Sequence, residues 1–464
     1  MDTVRARDLR VRPDLRYVAS GWSTLVTDVR GQITGDDPQG FYAENTRVLS
    51  RERISIDGRE PAPFCTANAG THTQLSYTEL GDGEALPPRA VYLVQERFVG
   101  EGLRTRLTLD SYADVPLTFQ LRLEFAADFA DILEAESGHR RQRAEVAASW
   151  DETARELRFR YLHPGLDRAV AVAVRTQAPV AFADSSITVD LSVPPRRRAG
   201  VDVLVEPIFD GRRMAAPPGE YAEPDDPAGR ARAVLTREFT RLRSTNVTVA
   251  TAWQTAVEDL ASLPLGEPPG PAAPAAGLPL YQQFFGRDTL TVSWQALLAG
   301  PTMLRDSLRL NAAHVGERID DWRDEEPGKL LHQASRGPVS VLGLDPLARY
   351  YGDWATAPDF LVFLGQYLAW TGDLETVRDL LPTAHRVVEW LDRYGDRDGD
   401  GFLEYHCRSA AGVRNQGWKD SDTALVDEHG RMVDNPIATS ELQGYWYAAM
   451  RHGALAFAAG GEPL

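Results

Sequence analysis

Leu117-Thr118-Phe119-Gln120-Leu121-Arg122-Leu123-Glu124-Phe125 carries an apolar side chain at every second position. Successive side chains of a strand point to opposite sheet faces, so this stretch reads as a half-buried antiparallel strand. Ile187-Thr188-Val189-Asp190-Leu191-Ser192-Val193 repeats the pattern, and shorter runs occur at Ile54-Ser55-Ile56, Val91 to Phe98 and Leu103 to Leu109. Asp57-Gly58, Gly81-Asp82-Gly83 and Pro87-Pro88 punctuate these runs as turns. Many short strands between turns predict a β-sandwich over residues 1–228. The basic clusters Arg140-Arg141-Gln142-Arg143 and Arg196-Arg197-Arg198 are expected to be solvated turn charges.

Beyond this region the period changes from two to that of a helix. Ala231 to Arg243 and Val247 to Leu263 read as helices, followed by the Pro/Gly/Ala-rich stretch PLGEPPGPAAPAAGLP, so residues 229–280 are expected to form a linker of helices and loop. Phe360, Phe363, Leu364, Tyr367 and Leu368 then form one apolar helical stripe. Asp373 is a candidate N-cap for the next helix, whose apolar positions are Leu374, Val377, Leu380, Leu381, Ala384, Val388 and Leu391. Pro382 is expected to kink or divide that helix. A last helix runs from about Ser440 to Ala458.

With 464 residues, 43% hydrophobic and 25% charged, the chain is long enough for about two or three soluble domains. A formal net charge of −17 argues against a phosphate backbone as ligand, so no nucleic-acid partner is expected. No apolar run approaches the ~18 residues of a spanning helix, and the N-terminal stretch lacks the apolar centre of a signal peptide. The expectation is a cytoplasmic protein without a membrane partner. Cys65 and Cys407 offer neither a disulfide framework nor zinc-ligand spacing.

The chemistry-bearing residues lie in long loops between the helices. Asn415-Gln416-Gly417-Trp418-Lys419-Asp420-Ser421-Asp422 sets carboxylates beside an indole, an ammonium and amides. An aromatic ring stacks on the apolar face of a sugar while amides and carboxylates bind its hydroxyls, and a carboxyl packed against Trp is suited to general-acid work. The same stretch also reads as a polar loop in which Asp420 caps a helix. Tyr281-Gln282-Gln283-Phe284-Phe285-Gly286-Arg287-Asp288-Thr289 offers an Arg/Asp pair for adjacent sugar hydroxyls, or a plain N-cap at Asp288. Tyr350-Tyr351-Gly352-Asp353-Trp354-Ala355-Thr356-Ala357-Pro358 is either a core-edge turn or a pocket wall, and His332 in Pro327-Gly328-Lys329-Leu330-Leu331-His332-Gln333 is either a hydrogen-bonded structural residue or a catalyst. Asp396, Asp398, Asp400 and Glu404 resemble the start of a calcium loop. The twelfth position of an EF-hand would fall on Cys407, so the choice is between a non-EF structural calcium site and a metal-free Asp/Gly turn. No P-loop, Rossmann fingerprint, G-x-S-x-G or H-E-x-x-H occurs.

Taken in order, these segments resemble the bacterial glycogen-debranching (amylo-α-1,6-glucosidase-like) family. Gly40-Phe41-Tyr42, Asn45-Thr46-Arg47-Val48-Leu49-Ser50 and Glu124-Phe125-Ala126-Ala127-Asp128-Phe129-Ala130-Asp131-Ile132 look like its N-terminal β-sandwich. Phe285-Gly286-Arg287-Asp288, Pro327-Gly328-Lys329, Tyr350-Tyr351-Gly352, Asp398-Gly399-Asp400-Gly401-Phe402, Gln416-Gly417-Trp418-Lys419-Asp420-Ser421 and Glu441-Leu442-Gln443-Gly444-Tyr445 look like motifs of its (α/α)6 barrel, related to trehalase and glucoamylase barrels. The implied fold class is multidomain, β then α: an antiparallel β-sandwich, then over residues 281–464 the first half of an (α/α)6 barrel of about six helices, apparently truncated. Departures are Pro279-Leu280-Tyr281 where relatives carry Pro-Trp, and His332-Gln333 where they carry His-Glu.

The resemblance implies an inverting glycoside hydrolase acting on α-glucosidic, α-1,6 branch linkages of oligosaccharides or polysaccharides. Asp420 would be the general acid, and Arg287 and Asp288 would hold the non-reducing glucose. Tyr351, Trp418 and Glu441 would line the pocket, with Phe285, Trp354, Gln416 and Lys419 completing the substrate-binding set. Such a reaction requires no cofactor. Inversion needs a second carboxylate ~6.5–9.5 Å from the first. The family's base, a late Glu, has no counterpart before Leu464, so the chain is expected to be an inactive N-terminal fragment with unpartnered inner faces at Leu290, Trp294, Trp446 and Met450. The competing expectations are a non-catalytic carbohydrate-binding protein, and a hydrolase or phosphorylase of another glycoside or disaccharide.

Overall fold

The computed structural model describes residues 14–35, 38–81, 86–183, 186–219, 225–421 and 423–462. Asp82 and Gly83 of the second turn signal, Asp422, and the chain ends quoted above lie outside the described residues. The chain divides into two units, the first comprising the described residues up to Asp226 with Leu278–Gln282, the second Pro227–Gly277 with the residues from Gln283 onward.

The first unit is antiparallel throughout. Leu117–Ala126 lies between Ser186–Val193 and Arg51–Ile56 in a four-stranded sheet completed by Val180–Ala183. The alternating stretches find each other in register: Leu121 faces Val189 and Ile56, and Leu123 faces Ile187 and Ile54. These inward residues are buried, each contributing about 1.5–3 kcal/mol against exposure. A second four-stranded sheet runs Leu15–Ser20, Ser23–Asp28, Gly40–Ala43, Thr46–Leu49. Both pack against a nine-stranded sheet that includes Thr73–Glu79, Val91–Val99, Leu103–Ser111 and Arg198–Phe209. One buried ion pair ties the layers: Arg97 Nη2 meets Glu52 Oε2 at 2.7 Å with both side chains 1% exposed, and Thr105 Oγ1 donates to Glu52 Oε1 at 3.1 Å.

The basic clusters divide. Arg196 and Arg198 are exposed as expected. Arg140 is not a solvated turn charge: it is mostly buried and bridges Asp128 at 3.2 Å and Glu134 at 3.3 Å. Glu134 also accepts the Gln142 backbone N–H, so this turn is folded around a buried carboxylate.

The second unit is helical. Its main helices are α1 (Pro227–Glu238), α2 (Val247–Ser262), α3 (Gly286–Gln295), α4 (Thr302–Ala312), α5 (Thr356–Thr371), α6 (Leu374–Tyr394) and α7 (Ser440–Gly460). The segment expected as a linker belongs to this unit. Leu235 and Phe239 pack with Ala261, Ala272, Ala296 and Met303, and the Pro/Ala stretch is pinned where Ala272 N–H donates to Asp306 at 3.1 Å and Thr289 donates to the Pro274 carbonyl at 2.9 Å.

The predicted stripe of α5 is buried at Phe360, Phe363, Leu364 and Tyr367 and packs with Val377, Leu380, Ala384 and Trp390 of α6. Asp373 caps α6 by accepting the Thr376 N–H at 3.0 Å. Hydrogen bonds from the Thr376 hydroxyl and N–H, and from the Tyr367 hydroxyl, pull the Asp373 carboxyl down to about 2. Pro382 does not divide α6, which runs unbroken from Leu374 to Tyr394. Leu290, expected to lack partners, is fully buried; Trp294 stacks on Phe363 at 5.2 Å, and Trp446 and Met450 pack on the same core. The long loops supply the missing contacts, since Leu330, Leu403, Tyr405 and Ile437 join that core. The architecture is therefore an antiparallel β-sandwich followed by a helical half-barrel, the order the two sequence periods predict. No helix among the described residues is long and apolar enough to cross a membrane.

Candidate active site

Arg287 is the second residue of α3, and its guanidinium gathers two separate loops, one at Asp353 and one running from Gly417 to Asp420. Gly286 beneath it has no room for a side chain: a Cβ would lie 2.1 Å from the Leu331 carbonyl oxygen. Arg287 Nη1 pairs with Asp353 Oδ2 at 2.9 Å and donates to the Gly417 carbonyl at 3.0 Å, while Nη2 pairs with Asp420 Oδ2 at 3.0 Å. Its Cζ sits 5.2 Å from the Trp418 ring centroid. Asp288, next in the helix, is not an N-cap; Phe285 holds that position, and the half-exposed Asp288 carboxylate faces the same guanidinium at 4.0 Å.

Asp353 is the counter-ion on the buried side. Its Oδ2 also meets His332 Nδ1 at 3.1 Å, and its Oδ1 accepts the Ala355 and Thr356 N–H groups at the start of α5, at 2.7 and 2.9 Å. Burial alone would raise the Asp353 carboxyl, but Arg287, His332 and the Thr356 N–H outweigh it and hold the group well below the usual carboxylate range. His332 is thus a buried, hydrogen-bonded orienting residue, with Phe285 packed edge-on at 5.5 Å. For Asp288 the balance goes the other way: burial and the nearby Asp353 raise its carboxyl despite Arg287.

The loop from Asn415 to Ser421 is clamped from below. Gln416, fully buried, donates through Nε2 to Asp324 Oδ2 at 3.0 Å, and its carbonyl accepts the Trp354 N–H at 2.7 Å. Asp324 also accepts the Tyr350 hydroxyl at 2.8 Å and the Arg408 N–H at 2.7 Å. At the loop's outer turn, Glu441 of α7 accepts the Trp418 N–H at 2.7 Å. That approach requires glycine at 417, where a Cβ would stand 2.3 Å from Glu441 Oε1. Trp418 (49% exposed) and Asp420 (side chain 40% exposed) are left facing solvent on either side of the buried guanidinium.

The structure therefore gathers Arg287, Asp288, Trp418, Asp420 and Glu441. Lys419 lies exposed in the same loop. Tyr351 and Trp354 lie elsewhere in the packing. Tyr351 is buried with its hydroxyl on Arg349 at 3.0 Å, and Trp354 is a core residue, 4.6 Å from the Trp390 ring and 5.2 Å from buried Lys329. Sequence reading passed over two acids. Asp353 pairs with Arg287; its signal was an Asp two and three residues ahead of the helical N–H groups it caps. Asp359, in the first turn of α5, is buried beside Asp353, and burial together with that neighbour raises its carboxyl well above the usual range despite Arg287. Nothing in its local sequence marks it.

In the loop after α6, one oxygen from each of Asp396, Asp398, Asp400 and Glu404 lies within 4.8 Å of the others, a donor set that suits a hard cation. Asp396 also accepts the Gly399 and Gly401 N–H groups at 2.7 and 3.0 Å, as a metal-free turn does. Burial and the three neighbouring carboxylates raise Glu404.

Fold and site together describe a two-unit protein whose helical part presents an Arg/Asp/Trp cluster suited to a polyhydroxylated ligand. Residues 18–203 match the family model described as the N-terminal domain of (some) glycogen debranching enzymes, which supports the debranching-like family read from the motifs. No curated protein matches the chain. Among solved structures it is similar to a human-microbiome protein named as a kojibiose phosphorylase, with 8% identity, a TM-score of 0.46, and coverage of 97% of this chain and 63% of that one. It is also similar to a GH78 family rhamnosidase of Bacillus sp. GL1, with 11% identity, a TM-score of 0.33, and coverage of 79% and 31%. The chain thus spans less than two thirds of the length of either protein.

Proposed function

We propose that this chain carries the sugar-binding and proton-donating part of a glycoside hydrolase acting on α-glucosidic linkages, in the first place α-1,6 branches. The observation that carries this reading is the convergence on Arg287: three sequence stretches far apart in the chain, around residues 287, 353 and 417–420, bring Asp288, Asp353, Gly417 and Asp420 to one guanidinium with Trp418 beside it. A glucose ring stacked on Trp418 would meet alternating donors and acceptors, Arg287 as donor fork and Asp288 as acceptor. Asp420 is the carboxyl that reaches solvent next to the indole, where a leaving glycosidic oxygen could take its proton. To donate, it must leave its Arg287 contact and take up a proton from solvent before passing it to the leaving oxygen, and Asp353 keeps the guanidinium neutralised when it does. Inversion also needs a second carboxylate to activate water, and the sequence motifs assign none.

The test uses the full-length enzyme with an α-1,6-branched glucan. Wild type should release glucose with inverted anomeric configuration, seen by NMR at early times. Asp420→Asn should lower kcat by at least about 10²-fold, the scale of a lost general acid, with sugar affinity nearly unchanged. Undiminished turnover in Asp420→Asn would remove the acid assignment. Product formation that requires inorganic phosphate would make the enzyme a phosphorylase instead.

A further inference from the structure

The nine-stranded sheet of the first unit turns one face to solvent, and that face carries side chains which folding does not require. Phe64, beside the edge strand Cys65–Gly70, is 66% exposed; Tyr112, just after Leu103–Ser111, is 60% exposed, and Tyr77 is 36% exposed. With Tyr92 they form one continuous row: ring centroids are 6.3 Å apart for Phe64–Tyr77 and Phe64–Tyr92, and 6.0 Å for Tyr92–Tyr112. Scattered exposed aromatics need no explanation, but a contiguous row marks an interaction surface.

Cross-strand register sets polar pairs beside the rings. Tyr92 faces Asp110, which faces Arg198 on the next strand, and Arg198 Nη2 pairs with Asp110 Oδ2 at 2.7 Å. Further along, Arg106 Nε pairs with Asp202 Oδ1 at 2.9 Å, and beyond the turn Arg196 pairs with Asp114 at 2.7 Å. Between the first two pairs the sheet carries Gly200, whose missing side chain lowers the floor. Two depressions result, of about 280 Å³ around Gly200 and about 730 Å³ beside Tyr112, and both are lined by Arg198.

We propose that this face is a second carbohydrate-binding surface, which takes a neutral glucan chain with its sugar rings on the Phe64/Tyr112 row and its hydroxyls on the Arg198–Asp110 and Arg106–Asp202 pairs. Ring and ion pair recognise different halves of the same ligand. A pyranose has an apolar C–H face for the aromatic, while vicinal hydroxyls each donate and accept, as a guanidinium beside a carboxylate accepts and donates. Asp110, Asp114 and Asp202 offset Arg198, Arg196 and Arg106, but Arg175 and Arg197 line the same depressions, so an anionic polymer is the competing ligand that the test separates. The surface is read independently of the helical site, while the choice of a glucan as its ligand rests on the substrate class proposed above.

The test is affinity electrophoresis of the full chain through gels with and without glycogen, with maltoheptaose calorimetry alongside. Wild type and Asp420→Asn should be retarded equally. Phe64→Ala/Tyr112→Ala should bind about tenfold more weakly, one ring contact's worth, and Tyr112→Phe, which keeps the ring, should bind like wild type. Unchanged thermal melting of the double variant shows that the loss is local. Three results would each overturn the inference: no retardation of wild type, retardation of the double variant equal to that of wild type, or stronger retardation by polyphosphate than by glycogen. Lack of turnover in any of these proteins bears on the helical site and leaves this outcome untouched.

Discussion

Replacing Arg287 by methionine keeps the length of the side chain and removes its charge, which isolates what the guanidinium does for the buried acid behind it. The Arg287–Asp353 pair is 8% and 1% exposed, so its loss strands a carboxylate with only His332 and two backbone N–H groups. Breaking a buried pair from one side costs about 3–5 kcal/mol. The contact with Asp420 adds little, since that partner is 40% exposed and such pairs are worth ~0–1 kcal/mol. The pH dependence has a fixed sign. Asp353 is held below its unfolded value, so it contributes stability above pH ~4 that is lost as pH falls through its lower folded value. Without Arg287 the buried charge becomes the liability, and protonation relieves it. In urea unfolding followed by tryptophan fluorescence, Arg287→Met should therefore be about 3–5 kcal/mol less stable than wild type at pH 7, with the gap narrowing towards pH 4. Arg287→Met/Asp353→Asn should recover most of that loss and remain ~1–2 kcal/mol below wild type because the Gly417 carbonyl loses its donor. A double variant as unstable as the single, with a gap independent of pH, would refute the coupling of the two residues.

Asp359 makes the opposite prediction. Its folded value is raised, so stability falls as pH rises above the unfolded value near 4, and the stability of Asp359→Asn relative to wild type should increase between pH 4 and pH 7; a flat difference would show that the group ionises freely. Asp373→Ala should cost about 0.5–2 kcal/mol at pH 7 for the lost cap, and the cost should shrink as pH falls from 4 towards 2, read from thermal melts. We propose a structural calcium ion in the Asp396–Glu404 loop. Calorimetry at pH 7 should show calcium binding and a raised melting temperature, both lost in Asp398→Asn/Asp400→Asn, whereas a wild-type trace with no heat and no shift would identify a metal-free turn.

Legibility followed the range of the interaction. Leu117 to Phe125 and Ile187 to Val193 could be read because a strand's pattern is local, and their pairing followed from two buried faces seeking each other. The stripe of α5 and the Asp373 cap are likewise local. The Pro/Ala stretch misled because its composition suits a linker, while small side chains also let a backbone lie close against α4, as it does at Asp306. Trp354 carries the same ambiguity, since an indole near a site motif packs equally well into a core, as it does beside Trp390. The motif residues Arg287, Trp418, Asp420 and Glu441 were legible as chemistry, but the residues that aim them were not. Asp324 and Asp353 hold groups 92 and 66 positions away in the chain, a separation at which spacing carries no signal.

Charge balance explains why those unannounced acids matter. Around one guanidinium the fold places Asp288, Asp353 and Asp420, with Asp359 close behind, an excess of carboxyl groups that cannot all be buried as anions. Each is handled differently. Asp353 is paired and hydrogen-bonded on both oxygens, which keeps it ionised. Asp359 has no such pairing among the described residues, and burial with the neighbouring Asp353 raises its carboxyl well above the usual range, towards the neutral form. Asp288 and Asp420 keep part of their surface in water. Only these last two present a partly exposed carboxyl to an incoming ligand. Of the two, only Asp420 lies in the same short loop as the exposed indole, which is why the proton is assigned to Asp420 and the grip on the sugar to Asp288.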